Sequence, residues 1–227
     1  MMNYQREIKK YSLFIIHFSS LHPMFKNKLP GKFMAIEGID GSGKSTQTNL
    51  LREYLKREKI PCYATQEPSK SIIGGIIRGR LTGDWKTVSP LSLQLLFAAD
   101  RANHLKYEII PQLEKGVNVV TNRYFFSSIA YGSVDIAQED WLLQINDPFL
   151  LPDLTIILKT SVKLALKRIR EAETRLELFD DEKTIEQVWN TYEKISKKYP
   201  NIKLIDSEKS TEEVFEEIKK EVEKIIR

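Results

Sequence analysis

Residues Gly38 to Ser45 read GIDGSGKS: a glycine, four residues of any type, then Gly-Lys-Ser. Those types at that spacing suit one task, the holding of a polyphosphate. Gly38, Gly41 and Gly43 let the backbone turn tightly and aim its N–H groups inward. The main chain of Gly38, Ile39, Asp40, Gly41, Ser42, Gly43, Lys44, Ser45 and Thr46 can then cradle phosphate oxygens. Lys44 supplies a mobile positive charge toward the β and γ phosphates, and the Ser45 hydroxyl can enter the coordination shell of Mg²⁺. The ligand this implies is a nucleoside triphosphate.

Such a loop works where a strand hands over to a helix. Lys32 to Glu37 (KFMAIE) has the character of the strand, and Thr46 to Glu58 that of the helix, with Leu50, Leu51, Tyr54 and Leu55 as its apolar stripe. Five apolar, β-branched runs alternate with helical patterns: Phe33 to Glu37, Cys62 to Thr65, Val117 to Thr121, Leu154 to Lys159 and Ile202 to Ile205. That alternation predicts an α/β fold, a doubly wound five-stranded parallel sheet with helices on both faces and ligands at the carboxyl ends of its strands. Ser210 with Glu213 forms a capping box for a last helix whose Val214, Ile218, Val222 and Ile225 share a face.

With 227 residues, 41% of them hydrophobic, the chain can bury one sizeable core and little more. A single domain is expected over residues 32–227, after a poorly ordered extension of residues 1–31. The 35 basic and 31 acidic residues leave a net charge of +4, spread in mixed-sign runs such as KREK, which is the pattern of solvated helix faces and not of a nucleic-acid surface. Cys62 is the only cysteine and reads as a small core residue, while His17, His22 and His104 are scattered too widely for a metal site. The apolar run Leu13 to Phe18 follows Arg6, Lys9 and Lys10 but is too short to span a membrane and lacks a small-residue cleavage site. A soluble cytoplasmic location, where triphosphate and Mg²⁺ are found, is expected.

Leu91 to Lys115 reads as one helix. Leu91, Leu95, Ala98, Ala102, Leu105 and Ile109 form the stripe expected to pack on the sheet, while Phe97 and Arg101 share a second face about 100° away, one turn apart. A phenylalanine off the core stripe with an arginine beside it suits either a pocket or a subunit interface.

Taken together, AIEGIDGSGKSTQ (35–47), TQEP (65–68), LLFAADRANH (95–104), NRYFFSSIAY (122–131) and IDSEKSTEEV (205–214) resemble thymidylate kinase, and the similarity runs from about residue 32 to the C-terminus. The resemblance implies a phosphate-loop nucleoside monophosphate kinase that phosphorylates dTMP with ATP and Mg²⁺, built as a homodimer on helix faces. By the same resemblance Asp40 holds the acceptor 3′-hydroxyl, Phe97 stacks on thymine, Arg101 hydrogen-bonds the carbonyl edge of the base, and Arg78 and Arg123 grip the acceptor phosphate. Tyr131 lies against the sugar, and Glu67 and Ser128 belong to the acceptor site. The lid spans about 168–179, with Arg168, Arg170 and Arg175, of which Arg175 fits the lid pattern best as the transfer-stabilising arginine. Asp206 to Lys209 resembles the loop that lines the adenine site.

Three positions depart from that pattern. Asn122 stands where the family has an Asp that organises Mg²⁺ and its waters, and a neutral amide holds Mg²⁺ less well. Gly132 stands where bacterial members carry a Gln that reads the base, and Gln66 replaces the usual Arg before Glu67. These leave open a kinase for another nucleoside monophosphate or for a deoxynucleoside, and a nucleotide-binding regulatory relative with little turnover.

Overall fold

The computed structural model describes residues 25–83, 87–171 and 181–226. Strands β2 (Phe33–Gly38), β3 (Cys62–Gln66), β4 (Asn118–Asn122), β6 (Leu154–Lys159) and β7 (Ile202–Asp206) form one sheet in the order β3-β4-β2-β6-β7, every neighbouring pair parallel. All six residues of β2 are buried, as a strand covered on both faces requires. The chain leaves β2 toward one edge of the sheet and later crosses to the other, so the order reverses at the strand that ends in the glycine-rich loop.

Two apolar layers hold the helices to the sheet. On one face Met34, Ile36, Leu154 and Ile156 pack against α1 (Lys44–Arg57), through Leu51, Tyr54 and Leu55, and against α9 (Thr211–Ile226), through Val214, Ile218 and Val222. On the other, Phe33, Ala35, Val119 and Ile157 meet α5 (Phe125–Ile136), α8 (Glu182–Lys198) and a long helical run. That run consists of α3 (Pro90–His104), a π-helical turn (Leu105–Ile109) and α4 (Ile110–Glu114). Helices α2 (Ile72–Leu81), α6 (Glu139–Asn146) and α7 (Val162–Glu171) complete the described elements. The capping box is present: Ser210 N donates to Glu213 Oε2 at 3.0 Å and Glu213 N to Ser210 Oγ at 3.2 Å.

Two expectations change. The start of the ordered domain lies earlier than residue 32. Phe25–Lys26 (β1) pairs in parallel with Leu150–Leu151 (β5), and Asn27 Nδ2 donates to Gly31 O and Asp153 Oδ2 at 2.8 and 2.6 Å.

The second change concerns α3. Most of its apolar stripe faces outward before the π turn: Leu91 and Leu95 are each 49% exposed and Ala102 is exposed, while Ala98 is partly buried against the core and Leu105 and Ile109 are buried as expected. The inward face carries Leu93, Gln94, Asp100, Arg101 and His104. The π turn fits an extra residue into the helix and so rotates the faces before and after it relative to one another. Among the described residues no helix is long and apolar enough to cross a membrane. Cys62 sits partly buried in β3 with its thiol pushed up to about 11 by burial, which fits a packing role.

Candidate active site

The loop after β2 opens onto the N-terminus of α1. Gly43, the N-cap, has φ 92° and gives the helix no side-chain cap, and there is no acidic residue in the first turn. The first N–H groups of α1 and the positive end of its dipole are therefore left for an anion. At Gly41, φ is 75° and an added Cβ would lie 2.3 Å from the carbonyl oxygen of Ala165, so only glycine lets α7 approach the loop this closely.

Four side chains from three elements and the loop converge beside it. Asp40, in the loop, accepts hydrogen bonds from Arg123 Nη2 and from Tyr131 Oη (3.0 Å), and lies 3.5 Å from Lys44 Nζ. Lys44 Nζ also donates to Ile39 O at 2.7 Å. Arg123 follows β4, and its guanidinium sits 5.0 Å from the Tyr131 ring centre. Burial works against the Asp40 carboxylate, but the charges of Arg123 and Lys44 outweigh it and hold the carboxyl well below the usual range. Lys44 is brought down to about 8, by burial first and by Arg123 second, with Asp40 and Glu37 opposing. Ser45 and Thr46 are exposed at the mouth of the loop, and Asn122 Nδ2 donates to Ser45 Oγ at 3.0 Å, leaving Asn122 Oδ1 buried without a partner among the described residues.

Arg123 is backed by a residue the sequence reading passed over. It adopts φ 68°, a strained left-handed conformation for a non-glycine. Glu37, fully buried at the end of β2, accepts from the N–H groups of Tyr124 and Ser127 at 2.8 and 3.2 Å, from Ser127 Oγ, and from Tyr192 Oη at 2.9 Å. It thereby caps the start of α5, which has no cap of its own. Ser127 Oγ in turn accepts from Arg123 Nη1 at 3.0 Å. Burial pushes the Glu37 carboxyl above the ordinary carboxylate range, against Ser127, Arg123, the Tyr124 N–H and Tyr192, which pull it back. A visible signal existed: a lone Glu inside an otherwise apolar parallel strand is a buried charge that needs partners.

The second cluster lies under α3. Arg101 is 1% exposed and donates through Nε and Nη2 to Glu67 Oε2 (2.9 and 2.7 Å), through Nη2 to Ser128 Oγ (3.0 Å) and through Nη1 to Asn146 Oδ1 (2.5 Å). Four of its five N–H groups are thus engaged by protein, leaving one on Nη1 without a partner among the described residues. His104 bridges the other Glu67 oxygen (3.2 Å) and Thr65 Oγ1 (2.7 Å). Asp100 accepts from Ser69 N, Ser69 Oγ and Ser71 Oγ at 2.6 to 2.7 Å. The polar face of α3 therefore clamps the segment 67–71, and this is why its charged residues point inward. Arg78, on α2, turns back to the carbonyls of Pro68 and Ser69 (3.2 and 2.6 Å) and so joins the same segment. Phe97 is partly buried on the same side of α3.

Of the lid residues, Arg168 on α7 donates to Ser207 O at 3.0 Å, tying that helix to the loop 206–209, while Arg170 is exposed. Ser161 N donates to Glu208 Oε1 at 2.7 Å from the other side of that loop. Arg175 and the remainder of the expected lid, 172–179, lie outside the described residues.

Comparison with known proteins agrees with this geometry. A family model described as Thymidylate kinase matches residues 36–218. The chain is 36% identical over 181 residues to a probable thymidylate kinase of Pyrococcus horikoshii, covering 78% of this chain and 88% of that protein. It is 39% identical over 186 residues to a probable thymidylate kinase of Methanocaldococcus jannaschii (82% and 93%). Against a thymidylate kinase of Thermosipho africanus the identity is 39% over 198 residues (85% and 98%).

Proposed function

Because the chain belongs to the thymidylate kinase family, we propose that it moves the γ-phosphoryl group of ATP to the 5′-phosphate of dTMP, giving dTDP and ADP. The observation that carries this reading is the meeting of Asp40, Lys44, Arg123 and Tyr131 at the mouth of the phosphate loop. Donor-side and acceptor-side charges share one carboxylate there. In the structure Asp40 pairs with both cations; incoming phosphates compete for Lys44 and Arg123, and Asp40 is released toward the acceptor sugar. Lys44 and the loop N–H groups then meet the β and γ phosphates, and Arg123 and Arg78 the acceptor phosphate, so that positioning and fixed charge carry the transfer. Phe97 and Arg101 flank the base, with Glu67 and Ser128 holding Arg101 in place. Of the lid arginines, Arg175 is the one that the family resemblance assigns to stabilising the transferring group.

The oxygen set at Ser45 and Asn122 fits Mg²⁺. Ser45 Oγ is exposed at the loop mouth, and the orphaned Asn122 Oδ1 is an acceptor suited to a metal-bound water. When bound, Mg²⁺ neutralises charge on the β and γ phosphates. Asn122→Asp is expected to lower the Mg²⁺ concentration for half-maximal rate or to raise turnover about tenfold at fixed Mg²⁺, the gap between a charged and a neutral hydrogen bond being about 1 to 3 kcal/mol. Mg²⁺ titrations of initial rate check this. Weaker dTMP binding with an unchanged Mg²⁺ requirement would show instead that the carboxylate captures Arg123.

The outward stripe of Leu91, Leu95 and Ala102 on α3, with Ile72 of α2 also exposed, supports a homodimer built on this face. A cytoplasmic location follows from the substrates. ADP release measured with each of the common nucleoside monophosphates tests the activity: dTMP should give the highest kcat/KM. ADP release unchanged by any acceptor would defeat the kinase reading.

A further inference from the structure

Gln94 is 1% exposed on the inward face of α3, and neither its Oε1 nor its Nε2 has a hydrogen-bond partner among the described residues. A buried carboxamide with both ends unpaired costs stability, and such a cost is retained where the group has work to do. Its neighbour explains where it sits. A Cβ added at Gly132 would lie 2.8 Å from Gln94 Cδ and 3.0 Å from Gln94 Oε1, so the amide occupies the space a side chain at 132 would take.

The two helices run antiparallel along this seam. Gln94 meets Gly132, and one turn earlier on α5 Ser128 accepts from Arg101, seven residues further along α3. Those two rungs are about 10 Å apart along α3 and about 6 Å along α5, the long Arg101 side chain making up the difference, and Phe97 lies between them on α3. A base stacked on Phe97 would have Arg101 at one edge and Gln94 at another.

We propose that Gln94 is a specificity-determining residue for the pyrimidine, its carboxamide pairing with the imide edge: Oε1 accepts from N3–H while Nε2 donates to an adjacent carbonyl. Gly132 is the partner change that makes room for it. The inference rests on the dTMP reading and deepens it. Cytosine presents an acceptor at N3 and a donor at C4, so the carboxamide meets it only after turning over, whereas Arg101, which can only donate, favours a carbonyl at the neighbouring edge and with it the imide.

Gln94→Leu removes the polar ends and keeps the bulk. Titration calorimetry with dTMP alone and with ATP alone, thermal melting, and kcat/KM for dTMP and dCMP form the test. Expected are an apo melting temperature equal to or above wild type, dTMP affinity weakened about tenfold or more, as for the two hydrogen bonds lost, ATP affinity within about twofold, and a reduced dTMP-to-dCMP preference. Gly132→Ala displaces the amide without removing it and should weaken dTMP in the same direction, which keeps the test standing if the Leu variant folds poorly. Unchanged dTMP affinity and unchanged preference in the folded variants overturn the proposal and leave Gln94 as packing. Failure of the wild type itself to bind dTMP overturns the dTMP reading instead.

Discussion

Lys44→Ala should lower turnover by about a thousandfold or more, about 4 kcal/mol of transition-state stabilisation, while the melting temperature without nucleotide stays near wild type. The two halves of this expectation have different causes. In the folded chain Lys44 is a buried ammonium compensated by Ile39 O, Asp40 and, at longer range, Glu37, and Arg123 nearby opposes its charge. Removing it relieves a costly burial about as much as it loses those interactions. In the transition state the same charge faces developing negative charge on phosphate and has no substitute, since loop positions 39, 40, 41 and 42 carry no other cation. The pH dependence gives a second signature. With Lys44 at about 8 in the free protein, kcat/KM for ATP should fall as pH rises past 8, because the free enzyme then loses the charge that meets the triphosphate. Bound ATP draws the proton back, so the corresponding limb in kcat lies at higher pH. For stability the sign is opposite: the unfolded chain keeps the proton up to 10.5, so wild type gains stability relative to Lys44→Ala between about 8 and 10.5. Rate profiles and melts across that range check both. Unimpaired turnover in Lys44→Ala would defeat the kinase reading, and a flat kcat/KM profile through pH 9 would defeat the assignment to Lys44.

What the sequence made legible was what is local. The loop is contiguous and its glycines answer to backbone geometry, so Gly38 to Ser45 read correctly without any tertiary information. The central strands read as apolar runs because they are covered on both faces, the edge strands β3 and β7 are less buried, and the ends of all five fall within a residue of those observed. The face of α3 did not read. Hydrophobic periodicity assumes that what points inward is apolar, and here, beside Leu93, the inward residues are Gln94, Asp100, Arg101 and His104, satisfied by Glu67, Ser69, Ser71 and Asn146 from distant segments, or, for Gln94, by nothing among the described residues. The π turn then shifts the phase, so a stripe drawn through Leu91 and Ile109 joins two different faces. The pairing of β1 with β5 involves two residues on each side, below what any pattern resolves. Glu37 carried a signal as a lone charge in an apolar strand, but its partners, Tyr124, Ser127 and Tyr192, lie far along the chain.

Glu37→Gln should lower kcat/KM for dTMP by about a hundredfold while the KM for ATP stays within about twofold. The carboxylate accepts from two backbone N–H groups and two hydroxyls, and these donors come from the start of α5 and, through Tyr192, from α8, the first described helix beyond the expected lid. An amide of the same shape can accept from Tyr124 and Ser127 N–H with its oxygen and donate to the hydroxyls with its nitrogen, so the cap survives in modified form. What it loses is the negative charge facing Arg123, along with the acceptor that orients Ser127 Oγ toward that guanidinium. Arg123 is held at φ 68° only because its surroundings impose it. Once that restraint weakens, the arginine spends part of its time elsewhere, and an acceptor phosphate must then fix it at the expense of its own binding. The loss therefore falls on dTMP and not on ATP, which meets the loop and Lys44. A role confined to packing would give the opposite record, with a lower melting temperature and unchanged kcat/KM for both substrates. Tyr192→Phe removes one donor to the same carboxylate and tests the link to α8. If the four groups act as one unit, its effect on dTMP and that of Glu37→Gln should fall well short of adding in the double variant. Strict additivity would mean that Tyr192 and Glu37 support Arg123 separately.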